Sequence, residues 1–184
     1  MSVKETLRKK FIFLRKKKYF TTQIFFFNPL LKMINEKKIK SIALYYPSNF
    51  EVSTLPLFEV LKKRNVQTLL PKLLPNGTMK FTKWSFLDPL KVNKYGFLEP
   101  LNLVSAINPD IIIVPVVAFD TFNNRLGYGK GYYDKFLSKY IRQKKSPLTI
   151  GLAFSFQKYK KIPTNKFDIK LNYILTEKGN KKFK

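Results

Sequence analysis

The chain has no cysteine and no histidine among its 184 residues. Disulfides, zinc sites of the Cys/His type, cysteine nucleophiles and every Ser–His or Cys–His triad are thereby excluded. Any acid–base or metal chemistry has to come from Asp, Glu, Lys, Tyr or water. Acidic residues are scarce as well: 11 Asp and Glu stand against 36 Lys and Arg, a formal net charge of +25. A long apolar run is also missing. The longest, Ile111 to Phe119, is too short for a bilayer span, which needs about twenty residues. The start of the chain, basic residues followed by Ile24-Phe25-Phe26-Phe27, has the outline of a signal peptide. Lysines interrupt it, Asn28-Pro29 breaks it and no small-residue cleavage site follows, so it reads as part of the fold. No membrane association is expected.

A charge of this size raises nucleic acid or an anionic membrane surface as partner. The lysines, however, are spread along the whole chain rather than gathered into one arm. Lysine far outnumbers arginine, and Asn, Ile and Phe are plentiful, the mark of an AT-rich coding bias. The expectation is no dedicated nucleic-acid partner but a positive field that steers polyanionic small molecules. By length the chain is one domain over residues 1–184, with N-terminal helices in 1–38 and a basic tail at 177–184, and its 45% hydrophobic content is ordinary for a globular protein.

Three of only seven glycines fall at every second position in Arg125-Leu126-Gly127-Tyr128-Gly129-Lys130-Gly131-Tyr132-Tyr133-Asp134. Glycine takes positive φ and lets other groups approach the backbone, so alternating glycines suit a loop whose N–H groups form a concave anion site. Gly131 opens a helical segment, Tyr132 to Tyr140, and a helix start adds partial positive charge. Arg125 can fork onto phosphate oxygens and Lys130 can act as a point charge beside them. Asp134, one turn in, is an oxygen ligand for a Mg²⁺ that carries phosphates. A plain glycine-rich connection between strand and helix is the competing reading. The spacing is neither a P-loop, since no hydroxyl follows Lys130, nor the G-x-G-x-x-G dinucleotide fingerprint.

Along the chain, residues 3–20 read as a helix with Leu7, Phe11 and Leu14 on one face. Lys4 and Arg8, four apart, share another face and read by spacing alone as solvated charges. Thr21-Thr22 read as a cap for the next turn, and Asn28-Pro29 as the N-cap and first residue of a short helix to Lys37. Strands are expected at Ser41–Tyr46, at Val66–Leu70 closed by Pro71, at Thr78–Trp84, at Ile111–Val117 as the central strand, at Leu148–Phe154 and at Asn172–Leu175. Residues 53–64 read as a helix, 85–100 as loop, Leu101–Ile107 as a short helix, and the tail from Glu177 as frayed. Alternating strands and helices predict a single α/β domain, three-layered and Rossmann-like, with a mostly parallel central sheet flanked by helices. Ligands of such sheets bind beyond the carboxyl ends of the strands, where the glycine stretch falls.

The few carboxylates can be enumerated. Glu5, Glu36, Glu59 and Glu177 lie in helical or terminal positions; Asp88 is in a loop and Asp110 precedes a strand. Glu51, Glu99, Asp120, Asp134 and Asp168 remain, each past a strand or in a loop. Asp134 is the leading metal candidate. Asp168 is either a second metal ligand or a turn aspartate. Glu51 either holds a polar heterocycle through its N–H groups or caps the helix near 53.

The ten-residue glycine stretch, preceded by Pro115-Val116-Val117-Ala118-Phe119-Asp120, resembles the signature of the 5-formyltetrahydrofolate cyclo-ligase (5,10-methenyltetrahydrofolate synthetase) family. The resemblance runs over nearly the whole chain. It includes Lys4-Glu5-Thr6-Leu7-Arg8, Tyr46-Pro47 leading to Glu51-Val52, Glu99-Pro100, Gly151-Leu152-Ala153-Phe154, Gln157 and Asp168. It implies ATP as co-substrate and Mg²⁺ as cofactor for ring closure of 5-formyltetrahydrofolate, in a cytoplasmic monomer. Phosphoryl transfer rests on alignment and charge neutralisation, so a chain without histidine is compatible with it. By resemblance, ATP is held by Lys4, Arg8, Arg125, Leu126, Gly127, Tyr128, Gly129, Lys130, Gly131, Tyr132 and Tyr133, with Arg125 and Lys130 catalytic. Tyr46, Glu51, Tyr95, Tyr128 and Tyr132 bind the folate, and Asp134 and Asp168 bind Mg²⁺. The basic residues also suit a polyglutamate tail. Members of the family often carry tryptophan where Tyr95 stands, and residues 20–40 are phenylalanine-rich and compressed relative to its pattern. A sugar-phosphate or CoA-type α/β enzyme without ATP turnover, or a basic RNA-binding protein, are the alternatives.

Overall fold

In the computed structural model, residues 2–140 and 146–179 are described; of the basic tail expected at 177–184, residues 180–184 lie outside them. Six strands form the main sheet. Helix α1 (Val3–Lys18) comes first, then a 3₁₀ turn (Ile24–Phe27) and helix α2 (Asn28–Glu36). Strand β1 (Ser41–Ala43), helix α3 (Leu55–Lys63), β2 (Gln67–Leu73) and β3 (Met79–Lys83) follow. A separate hairpin, β4 (Leu90–Val92) and β5 (Leu98–Pro100), precedes β6 (Ile111–Pro115) and a short ribbon, β7 (Ala118–Phe119) with β8 (Arg125–Leu126). Helix α4 (Tyr132–Ser138), β9 (Leu148–Leu152) and β10 (Tyr173–Leu175) complete the order.

The sheet order is β10-β9-β6-β1-β2-β3, parallel throughout except for the edge strand β3, which runs antiparallel to β2. Period-two alternation assigns the faces. Ile42, Leu44, Ile111 and Ile113 point to one side, where they meet Leu30 and Ile34 of α2 and Leu57, Phe58 and Leu61 of α3. Ala43, Ile112 and Val114 point to the other, against Phe136 and Leu137 of α4. Each fully buried Leu, Ile or Phe contributes about 1.5–3 kcal/mol. These are the three layers expected. The chain leaves β1 for β2 on one side and reaches β6 on the other, so the order reverses between β1 and β6. That reversal opens a crevice at their carboxyl ends.

Helix α1 starts with a reciprocal cap: Ser2 Oγ accepts from Glu5 N at 3.3 Å, and Glu5 Oε2 accepts from Ser2 N at 2.8 Å. Its buried stripe is Leu7, Phe11 and Arg15, laid on Val117, Ala118 and Leu126 of the ribbon region.

Several local expectations are corrected. Thr21-Thr22 cap nothing; the 3₁₀ turn is entered at Gln23, and its end makes Phe27 rather than Asn28 the N-cap of α2. Strand β2 continues through Pro71 to Leu73. Its pairing with β1 ends at Ala43–Leu69, so beyond that point the missing proline N–H leaves no rung unmade on that side. Residues expected as loop at 85–100 contain the β4–β5 hairpin, whose Asn93 Oδ1 accepts from Tyr95 N and Phe97 N to close the turn. Leu101–Ile107 is not a helix. Thr82 Oγ1 accepts from Val104 N, Ala106 bridges to Thr82, and Ile107 N donates to Phe81 O, so the segment is held extended along β3. The first and central strands stop at Ala43 and Pro115, and α4 stops at Ser138.

Candidate functional site

The crevice between β1 and β6 deepens into a cavity of about 690 Å³. The residues that follow both strands line it, as do α1, the β4–β5 hairpin and the loop carrying Asp168. All the site residues expected from sequence line this one cavity: Lys4, Arg8, Tyr46, Glu51, Tyr95, the run Arg125 to Asp134, and Asp168.

The glycine loop forms one wall. Gly129 has φ +97°, and a Cβ there would lie 3.0 Å from Arg8 Cζ, so the close seat of the Arg8 guanidinium requires glycine. Arg8 Nε also donates to Gly127 O at 2.9 Å. Gly131, at φ +69°, turns the chain into α4. Lys4 donates to Asp168 Oδ2 at 2.5 Å. The solvated-charge reading of Lys4 and Arg8 is therefore overturned, and both are fixed at the cavity wall.

The acidic pair has a divided construction. Asp134 Oδ1 accepts from Arg125 Nη2 at 2.9 Å and from Ile169 N at 3.1 Å. Asp168 Oδ2 accepts from Lys4 and from Asn165 N at 2.7 Å, so its turn role is real as well. Asp134 Oδ2 and Asp168 Oδ1 have no hydrogen-bond partner among the described residues. Two carboxylates with one spare oxygen each, about 23% and 26% exposed, fit Mg²⁺, which takes one or two carboxylates and fills its shell with water and phosphate oxygens. No group of three metal-ligating side chains occurs among the described residues. Arg125 is not a free fork: its guanidinium donates to Asp134 and to Ile169 O at 2.7 Å. The exposed cation of the loop is Lys130, whose Nζ lies 5.2 Å from the Tyr95 ring centroid.

A second part of the lining, in contact with the loop, is aromatic and centred on buried Glu51. Glu51 is 6% exposed; Oε2 accepts from Ser48 N at 2.9 Å and Oε1 from Tyr128 Oη at 2.7 Å. It does not cap α3, whose N-cap is Thr54. Burial raises the Glu51 pKa, with Arg15, Tyr128 and Ser48 opposing. Tyr46 packs edge-on to Trp84 at 6.1 Å, and the Tyr95 and Tyr132 hydroxyls are 3.0 Å apart. The Tyr133 hydroxyl is buried without a hydrogen-bond partner among the described residues. The hairpin that carries Tyr95 is anchored by buried Glu99, which accepts from Leu73 N and Asn93 Nδ2 and pairs with Lys72 and Lys91.

Gln157 and Asp120 serve the frame. Gln157 Nε2 donates to Val116 O and Val117 O. Burial acts to raise the Asp120 pKa, but hydrogen bonds from Asn124, Ile162 N and Phe122 N outweigh it and hold the group below its ordinary value. Sequence reasoning missed Arg15, Tyr45, Asn93 and Phe97. Arg15 had a signal, because it continues the i, i+4 stripe of Leu7 and Phe11. Tyr45 was passed over for Tyr46, although Tyr45 is the buried one of the two.

Fold and cavity together define an α/β domain with a cavity lined by a glycine loop at its topological switch point. The family described as "5-formyltetrahydrofolate cyclo-ligase family" matches residues 2–177. The chain is 37% identical over 156 residues to the 5-formyltetrahydrofolate cyclo-ligase of Haemophilus influenzae, covering 79% of this chain and 80% of that one. Among solved structures it is similar to the 5,10-methenyltetrahydrofolate synthetases of Aquifex aeolicus and Mycoplasma pneumoniae. The first has a TM-score of 0.74 and 31% identity over 97% of this chain and 92% of that one. The second has a TM-score of 0.69 and 28% identity over 95% and 98%. The chain belongs to the 5-formyltetrahydrofolate cyclo-ligase family and is a ligase.

Proposed function

We propose that this enzyme closes the ring of 5-formyltetrahydrofolate to 5,10-methenyltetrahydrofolate, consuming ATP in a Mg²⁺-dependent reaction. The observation that carries the reading is the pair Asp134 and Asp168, each tied by one oxygen to a cation and keeping the other spare beside the glycine loop. Family membership favours this over a sugar-phosphate or CoA-type enzyme and over an RNA-binding protein.

The formyl oxygen attacks the γ-phosphorus and ADP leaves. N10 then attacks the formyl carbon, phosphate departs with the oxygen, and N10 loses its proton. Bound Mg²⁺ supplies charge neutralisation on the phosphates. The glycine loop supplies backbone N–H groups, Lys130 supplies an exposed positive charge, and Arg8 presses the loop into its turn. Arg125 holds Asp134 in place, which changes its role from direct phosphate fork to organiser of the metal carboxylate. Glu51 accepts an N–H group of the substrate heterocycle, with Tyr46 and Tyr95 flanking it. The positive field of the protein suits polyglutamylated substrate, and we place the enzyme in the cytoplasm as a monomer.

The test is the methenyl absorbance that develops from 5-formyltetrahydrofolate. The expected rise requires both ATP and Mg²⁺ and is accompanied by one ADP per product. A rise without ATP, or ATP consumption without a chromophore, would overturn the reading.

A further inference from the structure

Arg15 is the largest fully buried polar side chain, 1% exposed, and it does not line the cavity. It sits in the last turn of α1 among exposed lysines, yet points inward. Burying a guanidinium is costly unless it is used. Here Nη2 donates to the Tyr128 hydroxyl at 2.5 Å and Nη1 to Val116 O at 3.3 Å, while Nε has no partner among the described residues. The guanidinium also lies 5.7 Å from the Tyr128 ring centroid.

The polarity of this chain of hydrogen bonds is fixed by chemistry. Arginine only donates, so the Tyr128 oxygen accepts from it and the single phenolic proton is committed to Glu51 Oε1, 2.7 Å away. Ser48 N and Oγ donate to Oε2 at 2.9 and 3.3 Å. Both carboxylate oxygens are thus acceptors; Ser48 fills Oε2, and Oε1 keeps one lone pair for a ligand. The groups that face Glu51 are Arg15 from α1, Tyr128 from the glycine loop, Ser48 from its own turn, Tyr45 after β1 and Tyr133 from α4. Arg15 is the cation of that set. The Tyr45 hydroxyl is spent on Val52 O, and burial pushes both Tyr45 and Tyr133 up, so neither titrates near neutrality.

We propose that Arg15 is a positioning residue for substrate recognition, ordering Glu51 through the Tyr128 hydroxyl as an all-acceptor carboxylate for a ring N–H group. The inference rests on the reading of Glu51 as the heterocycle contact. Desolvation drives Glu51 toward its protonated form, and Arg15 is the largest influence against it. A protonated Glu51 would turn one acceptor into a donor and meet a ring N–H wrongly.

Arg15→Met is the test variant. It is nearly isosteric, buries no charge, and leaves Val116 O still satisfied by Gln157. Infrared titration of the ligand-free protein reads the carboxylic acid band of Glu51, identified by its loss in Glu51→Gln. The band is expected to persist to higher pH in Arg15→Met than in wild type, and to a smaller extent in Tyr128→Phe, with Arg15→Lys close to wild type. In the assay, KM for 5-formyltetrahydrofolate is expected to rise about tenfold at pH 7 in Arg15→Met, since a hydrogen bond to a charged group is at stake. The rise should shrink as pH increases, with kcat and KM for ATP unchanged. An unshifted Glu51 band in folded Arg15→Met overturns the proposal, and an unshifted band in Tyr128→Phe overturns it equally if Arg15→Met does not fold. A shifted band with a KM that stays flat in pH sustains the coupling and overturns the part of Glu51 in substrate recognition.

Discussion

The carboxylates of the cavity handle charge in two opposite ways. At Asp134 and Asp168, cations and carboxylates are paired at partial exposure, and each carboxylate keeps an oxygen in reserve. At Glu51 the carboxylate is 6% exposed and the cation acting on it, Arg15, reaches it through the Tyr128 phenol. A partly solvated pair can release an oxygen to a metal at small cost, because water screens the change. A buried carboxylate cannot change partners cheaply, so it suits a ligand of fixed donor pattern. On the proposed function, the contrast separates phosphate-handling carboxylates, able to rearrange, from a recognition carboxylate that stays as it is.

Substitutions at the two kinds of site should separate accordingly. The largest effect is expected from Asp134→Asn, which removes the charge of the proposed metal carboxylate and weakens the hold on buried Arg125. Turnover should fall by a factor on the order of 10³, with a lowered melting temperature, checked by methenyl absorbance and thermal unfolding. Glu51→Gln should raise KM for the folate about 10–100-fold, the size of a lost charge-assisted hydrogen bond, with kcat largely kept. Lys130→Gln comes next, an exposed point charge: KM for ATP should rise about tenfold and more weakly at high salt.

The smallest effect is a stability slope. Burial raises the folded-state pKa of Glu51, so the folded state binds its proton more tightly than the unfolded state does. The stability of wild type relative to Glu51→Gln should therefore be greatest below the ordinary carboxylate value of 4.5 and decline as pH rises through the raised one. Asp120 is lowered instead, so its contribution should be present above its ordinary value of 3.8 and fade as pH falls through the depressed one. Denaturant unfolding of wild type, Glu51→Gln and Asp120→Asn across that range gives both signs.

Legibility in the sequence followed the range of the interactions involved. The glycine stretch is local: its spacing alone suggested a cradle and its place after a hydrophobic strand located it. The burial of β1 and the central place of β6 were legible from their apolar runs. The extended path of Leu101–Ile107 was not, because Thr82, on another strand, supplies the bonds that a helix would have made internally. The β4–β5 hairpin was hidden by Pro89 and Pro100, which punctuate like a loop, while its closing contacts come from the side chain of Asn93. The burial of Arg15 had a local sign in the Leu7–Phe11 stripe, but its partner Tyr128, 113 positions away, had none.

The division of the cavity is tested most directly by measuring KM for both substrates, by methenyl absorbance, in Glu51→Gln and Lys130→Gln side by side. The account predicts a crossed result: Glu51→Gln raises KM for 5-formyltetrahydrofolate and leaves that for ATP, and Lys130→Gln does the reverse. An equal rise of both constants in each variant would contradict it and leave the cavity a single undivided site.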